Sequence, residues 1–398
     1  MASPFASLWT SQATSNIGDG ILQVAAPLLV ASLTRDPVAV AAMTAVQFVP
    51  RLMFLLPAGV IADRMDRRAI LVGGNLLRAC GFAVLAATIL AGWHSIWLLY
   101  AAVFIAGTAE TLVDNAALAV PPRIVPRERL DRANGRLFAT QSVVNTFIGP
   151  PVGSALMAVA ATLAFFTGSL LFAVAALVAL LLPRMRPEAT EGEPVLAAIR
   201  SGWSTFWGDR LLRSVALISA AINFFGTATE AILVLLATGP LGVPAAAYGL
   251  FLAVPAAGAI LGSLLAEKII PRLGGGPVML AAALVPAASF VVLGLARSVL
   301  LALVAMCLAA IASACSQIVV STLRQAAVPD AMLGRVTSGY RLIVLGVVPF
   351  GALAGGLLAS MLTLRQTFII CGVGLAVAAA ILAPRVTTAA LRGAEQKV

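Results

Sequence analysis

Twelve stretches of about 20 apolar residues run through this chain, and they leave few folds open to it. A helix needs about 20 such residues to cross the hydrocarbon core of a bilayer. Runs of that length fall at 8–32, 37–62, 69–92, 95–118, 134–158, 160–182, 212–238, 246–268, 277–297, 299–322, 336–361 and 364–384. They are continuous and do not alternate polar with apolar positions, which excludes a transmembrane barrel. Of the 398 residues, 61% are hydrophobic and only 11% charged, against roughly half and a quarter in soluble domains. The chain therefore reads as an all-α membrane protein with twelve transmembrane helices. No cleavable leader is expected, because the first run contains Asn16 and Asp19 and is too long for the core of a signal peptide.

A net charge of +10 invites a nucleic-acid reading, and the placement of the charges removes it. If the N-terminus is cytoplasmic, 21 of the 26 cations fall in cytoplasmic segments, and only Arg35, Arg297 and Arg365 lie outside. Arg51 and Arg78 lie within runs. That asymmetry follows the positive-inside rule, so the charge reports topology. The expected location is the plasma membrane, with both termini cytoplasmic.

Metal and enzyme chemistry find no footing. Cys80, Cys307, Cys315 and Cys371 all sit inside apolar runs without zinc-like spacing. The only histidine, His94, lies between two tryptophans in a short loop. No HExxH, GxSxG or GxxxxGK[ST] pattern occurs, which argues against an enzyme and against nucleotide-driven transport. A receptor would usually carry a sizeable soluble domain, and the short loops leave no room for one. No cofactor is expected.

The longest polar stretch, 183–213, divides the runs six and six. Within it Leu196, Ile199, Trp203, Phe206 and Trp207 recur at helical spacing, the pattern of a short amphipathic helix on a membrane surface. The halves resemble each other. Gly59-Val-Ile-Ala-Asp63-Arg64 corresponds to Ser263-Leu-Leu-Ala-Glu267-Lys268, and Val125-Pro126 through Arg132 to Val328-Pro329 through Arg335. The offsets of 204 and 203 residues are nearly equal, and internal duplication with a site at the repeat interface is common among secondary transporters. The expected organisation is a six-helix bundle over 1–182, a cytoplasmic linker over 183–213, a second bundle over 214–384 and a cytoplasmic tail over 385–398.

These motifs resemble the major facilitator superfamily. Gly59, Asp63, Arg64, Arg67 and Arg68 match its signature loop GxxxDRxxRR between helices 2 and 3. A finer resemblance, to the branch with the enterobactin exporter and the macrolide-efflux proteins, rests on Ile17 to Gly20, Pro50-Arg51, Leu77-Arg78-Ala79, Ala109-Glu110-Thr111 and Ala133-Asn134. In helix 5, Gly149, Pro150 and Gly153 are similar to the antiporter motif GPxxGG, with Ser154 replacing its last glycine. Helix 4 departs from the drug–proton antiporters in lacking an RxxQG-like motif. The resemblance implies two pseudo-symmetric bundles rocking around a central cavity, and Asp63 acting as a gate against the start of helix 11.

Ionisable groups at membrane depth are expensive and mark candidate sites. Asp19, Arg51, Glu110, Asp114 and Glu230 are the candidates for proton coupling or for lining the cavity, with Arg78 assigned to structure. Glu110 and Asp114 are four residues apart, hence on one helical face. Low dielectric favours the neutral acid and a nearby Arg the charged one. A carboxylate that gains and loses an Arg partner can therefore bind and release a proton; the alternative is a static pair joining helices. Arg51 is the expected partner of Asp19, being at similar depth on the next helix. The reading is a monomeric secondary transporter exporting an amphiphilic drug, siderophore or secondary metabolite by proton antiport. A metabolite uniporter or proton symporter is the rival.

Overall fold

The computed structural model describes residues 4–54, 61, 65–185, 210–327 and 330–382. Among them twelve helices are long and apolar enough to cross a membrane, and there is no strand. In the first half these are α1 (Pro4–Leu33), α2 (Pro37–Phe54), α3 (Arg67–Leu90), α4 (Ile96–Leu118), α5 (Arg127–Val159) and α6 (Ala161–Ala179). The second half holds α7 (Arg210–Thr238), α8 (Tyr248–Leu273), α9 (Gly275–Leu295), α10 (Val299–Ala327), α11 (Asp330–Gly346, then Val348–Met361) and α12 (Leu364–Leu382).

Short polar caps set several of the helix starts. Free N–H groups open every helix, and a side-chain oxygen just before the first turn satisfies one of them. The Asp36 carboxylate accepts the Val38 amide at 2.9 Å, Asp66 the Arg68 amide at 3.0 Å and Ser95 the Leu98 amide at 3.3 Å. Asp66 Oδ1 also accepts the Met185 amide at 3.2 Å, which ties the start of α3 to the chain beyond α6. Gly92, at φ +82°, makes the tight turn from α3 into α4, a backbone region that side chains rarely tolerate.

α5 is the irregular helix. Leu130–Val143 passes through a π-helical turn at Val144–Ile148 before Gly149–Val159 resumes. Pro150 and Pro151 follow that turn and cannot donate to carbonyls one turn back, so the helix widens where those bonds are missing.

The chain packs as two compact units. One comprises 1–35, 46–191 and 244–253; the other comprises 36–45, 192–243 and 254–398. This division cuts across the six-and-six expectation at two places, because the start of α2 groups with the second unit and the start of α8 with the first. Both exchanges rest on close backbone approach. In the first unit Ser154 Oγ donates to Ala246 O at 2.9 Å, and a β-carbon at Gly249 would lie 2.0 Å from Pro150 O. In the second, a β-carbon at Gly356 would lie 2.6 Å from the Ala41 methyl.

Each unit has its own apolar core. In the first, Leu8, Leu71, Val113, Ala179 and Leu182 join α1, α3, α4 and α6. In the second, Ala216, Val278, Met279, Val320, Val336 and Leu375 join α7, α9, α10, α11 and α12. Apolar burial has little drive inside a bilayer, so close packing of small residues and interhelical hydrogen bonds carry these contacts.

Candidate functional site

Four helices of the first unit converge on a network of charged side chains at membrane depth. α1 brings Ser15 and Asp19, one turn apart on one face; α3 brings Asn75 and Arg78. Arg78 forms an ion pair with Asp19, and its second guanidinium nitrogen donates to Ser15 Oγ at 3.0 Å. Ser15 Oγ in turn donates to Asn75 Oδ1 at 3.0 Å, and Asn75 Nδ2 donates to Leu71 O at 2.9 Å. The Arg78 guanidinium lies 3.8 Å from the ring centroid of Phe172 on α6, a cation–π contact. Its side chain is 2% exposed, whereas that of Asp19 is 18% exposed. The pair is therefore closed on the arginine side and accessible on the carboxylate side.

Glycines set this approach. A β-carbon on Gly20 would lie 2.8 Å from Gly149 Cα, one on Gly149 would lie 2.5 Å from Gly20 Cα, and one on Gly153 would lie 2.6 Å from Ile21 O. The antiporter-like motif of α5 thus clamps α1 beside Asp19. Gly18 faces the Phe172 ring, where a β-carbon would come within 2.9 Å. Beside the clamp, Asn145 Nδ2 donates to Asn16 Oδ1 at 3.5 Å.

The second pair lies between α2 and α4. Gly107 lets α4 approach Pro50 and Gln47, with a β-carbon position 3.3 Å from the Pro50 ring and 3.4 Å from Gln47 O. Within one turn of that approach Arg51 pairs with Glu110. The two side chains are 48% and 21% exposed. An ion pair this open at membrane depth calls for water rather than lipid beside it.

One expectation needs correction. The partner of Asp19 is Arg78, not Arg51. Depth along a helix gives the height of a side chain but not its azimuth: Arg51 points from α2 to α4, while α3 presents Arg78 to α1. Asp114, half-buried one turn along α4 from Glu110, makes no hydrogen bond or ion pair among the described residues, and the charges acting on it come from Glu110, Arg51 and Arg78. Glu230 lies on α7 in the second unit and joins neither pair.

Of the signature loop, Arg67 is buried at the start of α3 and the Arg68 amide is bound by Asp66. Gly59, Asp63 and Arg64 lie outside the described residues, as do 186–209 with the expected linker helix. Ser15, Asn75 and Phe172 belong to the site although sequence reasoning passed over them. The signal was present for two of them, as polar residues one helical turn from Asp19 and Arg78. No group of His, Cys, Asp and Glu able to hold a metal ion occurs among the described residues.

Two units of transmembrane helices, the first holding the Arg78–Asp19 and Arg51–Glu110 pairs, define a polytopic α-helical membrane protein. The chain belongs to the family described as transmembrane secretion effector, within the major facilitator superfamily, whose family model matches residues 2–396. Its members are transporters and not enzymes. Among similar proteins, macrolide efflux protein A of Streptococcus pyogenes is 30% identical over 155 residues, 38% of this chain and 37% of that protein. The multidrug resistance protein MdtH of Enterobacter sp. (strain 638) is 31% identical over 182 residues, 44% of this chain and 41% of that one. The chain thus spans about two fifths of the length of these curated relatives. Among solved structures, the nucleoside transporter NupG superposes with a TM-score of 0.79 at 12% identity, covering 97% of this chain and all of that one. A bacterial homologue of the lysosomal transporter Spinster gives 0.77 at 17% identity, covering 97% and 98%. Identities this low establish the fold alone. The chain is therefore a multi-pass membrane protein of this family.

Proposed function

We propose that this transporter exports an amphiphilic small molecule in exchange for protons, by alternating access. The Arg78–Asp19 pair carries this reading. It joins α1 to α3 at membrane depth, its arginine is sealed and its carboxylate is accessible. An acid so placed can hold a proton when its arginine moves away and release it when the arginine returns. Arg51 and Glu110, which are more open, form the second element of the same relay. Gly149, Pro150 and Gly153 hold α1 against α5, which fixes the helix that carries Asp19.

The direction of transport and the class of cargo are supported by the efflux relatives, whose names concern macrolides and multiple drugs. The charge asymmetry of the sequence supports cytoplasmic termini and a cytoplasmic 183–213 linker between two six-helix repeats. The same reading places a monomer in the plasma membrane, with Asp63 as the gate and Glu230 as a cargo contact of the second repeat.

Sensitivity profiling of a deletion strain against a compound panel tests the export reading. Selective sensitivity to amphiphiles, restored by the intact gene, is the expected result. Unchanged sensitivity combined with lost uptake of a nutrient would favour a symporter.

A further inference from the structure

Away from the Asp19 network, the second unit holds a cation that no described side chain neutralises. Arg324 stands within one turn of the end of α10. A snorkelling arginine would reach past that end toward water. This one folds back along its own helix, with Nε donating to Val320 O at 3.4 Å. Its guanidinium then lies over the ring of Tyr340 on α11, 4.4 Å from the centroid. Tyr340 is buried in a cluster with Val320, Leu323 and Val336, and its side chain is hydrogen-bonded to Ser219 on α7. Three helices thus build a fixed platform under one face of the guanidinium.

A like charge acts on it. Arg341, exposed and next in sequence to Tyr340, places a second positive charge where Arg324 feels it. The described acids of this unit, Glu230 on α7 and Glu267 on α8, form no ion pair with either arginine. Arginine does not deprotonate in proteins, so the repulsion is not relieved by losing a proton. With Nε committed to Val320, the two terminal nitrogens of Arg324 have no acceptor among the described residues. A planar guanidinium fork held on an aromatic face is suited to gripping two oxygens of a carboxylate or phosphate. Arg136 on α5, by contrast, is exposed, as expected of a cation that only marks topology.

We propose that Arg324 and Arg341, on the Tyr340 platform, form a binding site for one oxyanion, the phosphate or carboxylate group of an amphiphile. The occupant is either the headgroup of an anionic lipid or an acidic small molecule, since both present the same oxygens. The site lies in the second unit and stands apart from the coupling reading of Asp19.

Binding is measured on purified full-length protein in a neutral detergent, in two arms. The lipid arm titrates dioleoylphosphatidylglycerol, with zwitterionic dioleoylphosphatidylcholine as control. The small-molecule arm titrates 1-naphthoate, with uncharged 1-naphthamide as control. At least one anion should bind the wild type more tightly than its control does. Arg324→Gln should weaken that anion about tenfold, the worth of a charge-assisted hydrogen bond. Arg341→Gln, which alters only an exposed side chain, should weaken the same anion, and Arg136→Gln should not. Loss confined to the phosphatidylglycerol arm identifies a lipid headgroup as the occupant; loss of naphthoate binding identifies an acidic small molecule. Unfolding midpoints establish that each variant is folded. The proposal is overturned if neither anion outbinds its control. It is also overturned if neither Arg324→Gln nor Arg341→Gln weakens binding more than Arg136→Gln does, since diffuse surface charge would then be the only attraction. Asp19→Asn should bind as the wild type does, so this result and the coupling reading fail independently.

Discussion

Arg78 and Asp19 face each other across α3 and α1, and the Arg78 guanidinium is stacked on Phe172 and bonded to Ser15 in the same place. Three contacts from two helices, α1 and α6, therefore converge on one buried cation. Removing either charge leaves the other alone in a region of low dielectric, and breaking a buried pair in this way costs about 3–5 kcal/mol. The pair can therefore carry stability and function at once, and the two roles separate by experiment.

Arg78→Met should lower the thermal unfolding midpoint of the detergent-purified protein clearly, because Asp19 is left unpaired. The double variant Asp19→Asn/Arg78→Met removes both charges and should recover a large part of that loss. Scanning fluorimetry of the four proteins of this cycle gives the coupling directly. An additive result would show that the two charges do not stabilise one another.

Helix packing offers an independent test. Gly149→Ala introduces a β-carbon 2.5 Å from Gly20 Cα, so α1 and α5 must separate, and the unfolding midpoint should fall. Gly81→Ala, in α3, meets nothing within 4 Å. It should be neutral or mildly stabilising, since Ala is favoured over Gly in a helix by about 1 kcal/mol. Equal effects at the two positions would contradict the clamp.

Topology is tested from outside the cell. Single cysteines replacing Arg35 or Arg365 should react with an impermeant maleimide in intact cells, and one replacing Glu191 should not. Reaction at 191 in sealed cells would reverse the orientation derived from the cations.

Much of this was legible from residues alone, for identifiable reasons. A transmembrane helix advertises itself by length and apolarity, so the twelve runs meet twelve helices. α2, expected over 37–62, is described to Phe54, and α10 runs on to Ala327. The π turn of α5 was not legible, because Pro150 and Pro151 announce a disturbance without its form. The glycines of α5 were visible as a motif, but their partner Gly20 lies 129 residues away and emerges only from packing. The same limit misassigned the partner of Asp19. Arg51 and Arg78 each stand at suitable depth, and the choice depends on which way each helix is turned.

Gradient-driven transport shows whether Asp19 couples cargo movement to protons. Everted vesicles containing wild type or Asp19→Asn are energised to set up a pH gradient, and uptake of a fluorescent dye chosen from the sensitivity panel is followed. The variant keeps the volume of the side chain and much of its hydrogen bonding but cannot exchange a proton. Uphill uptake is expected of the wild type, and of Asp19→Asn only equilibration of dye down its own gradient. Full gradient-driven accumulation by a well-expressed Asp19→Asn protein would contradict it and leave the Arg78–Asp19 pair a structural tie.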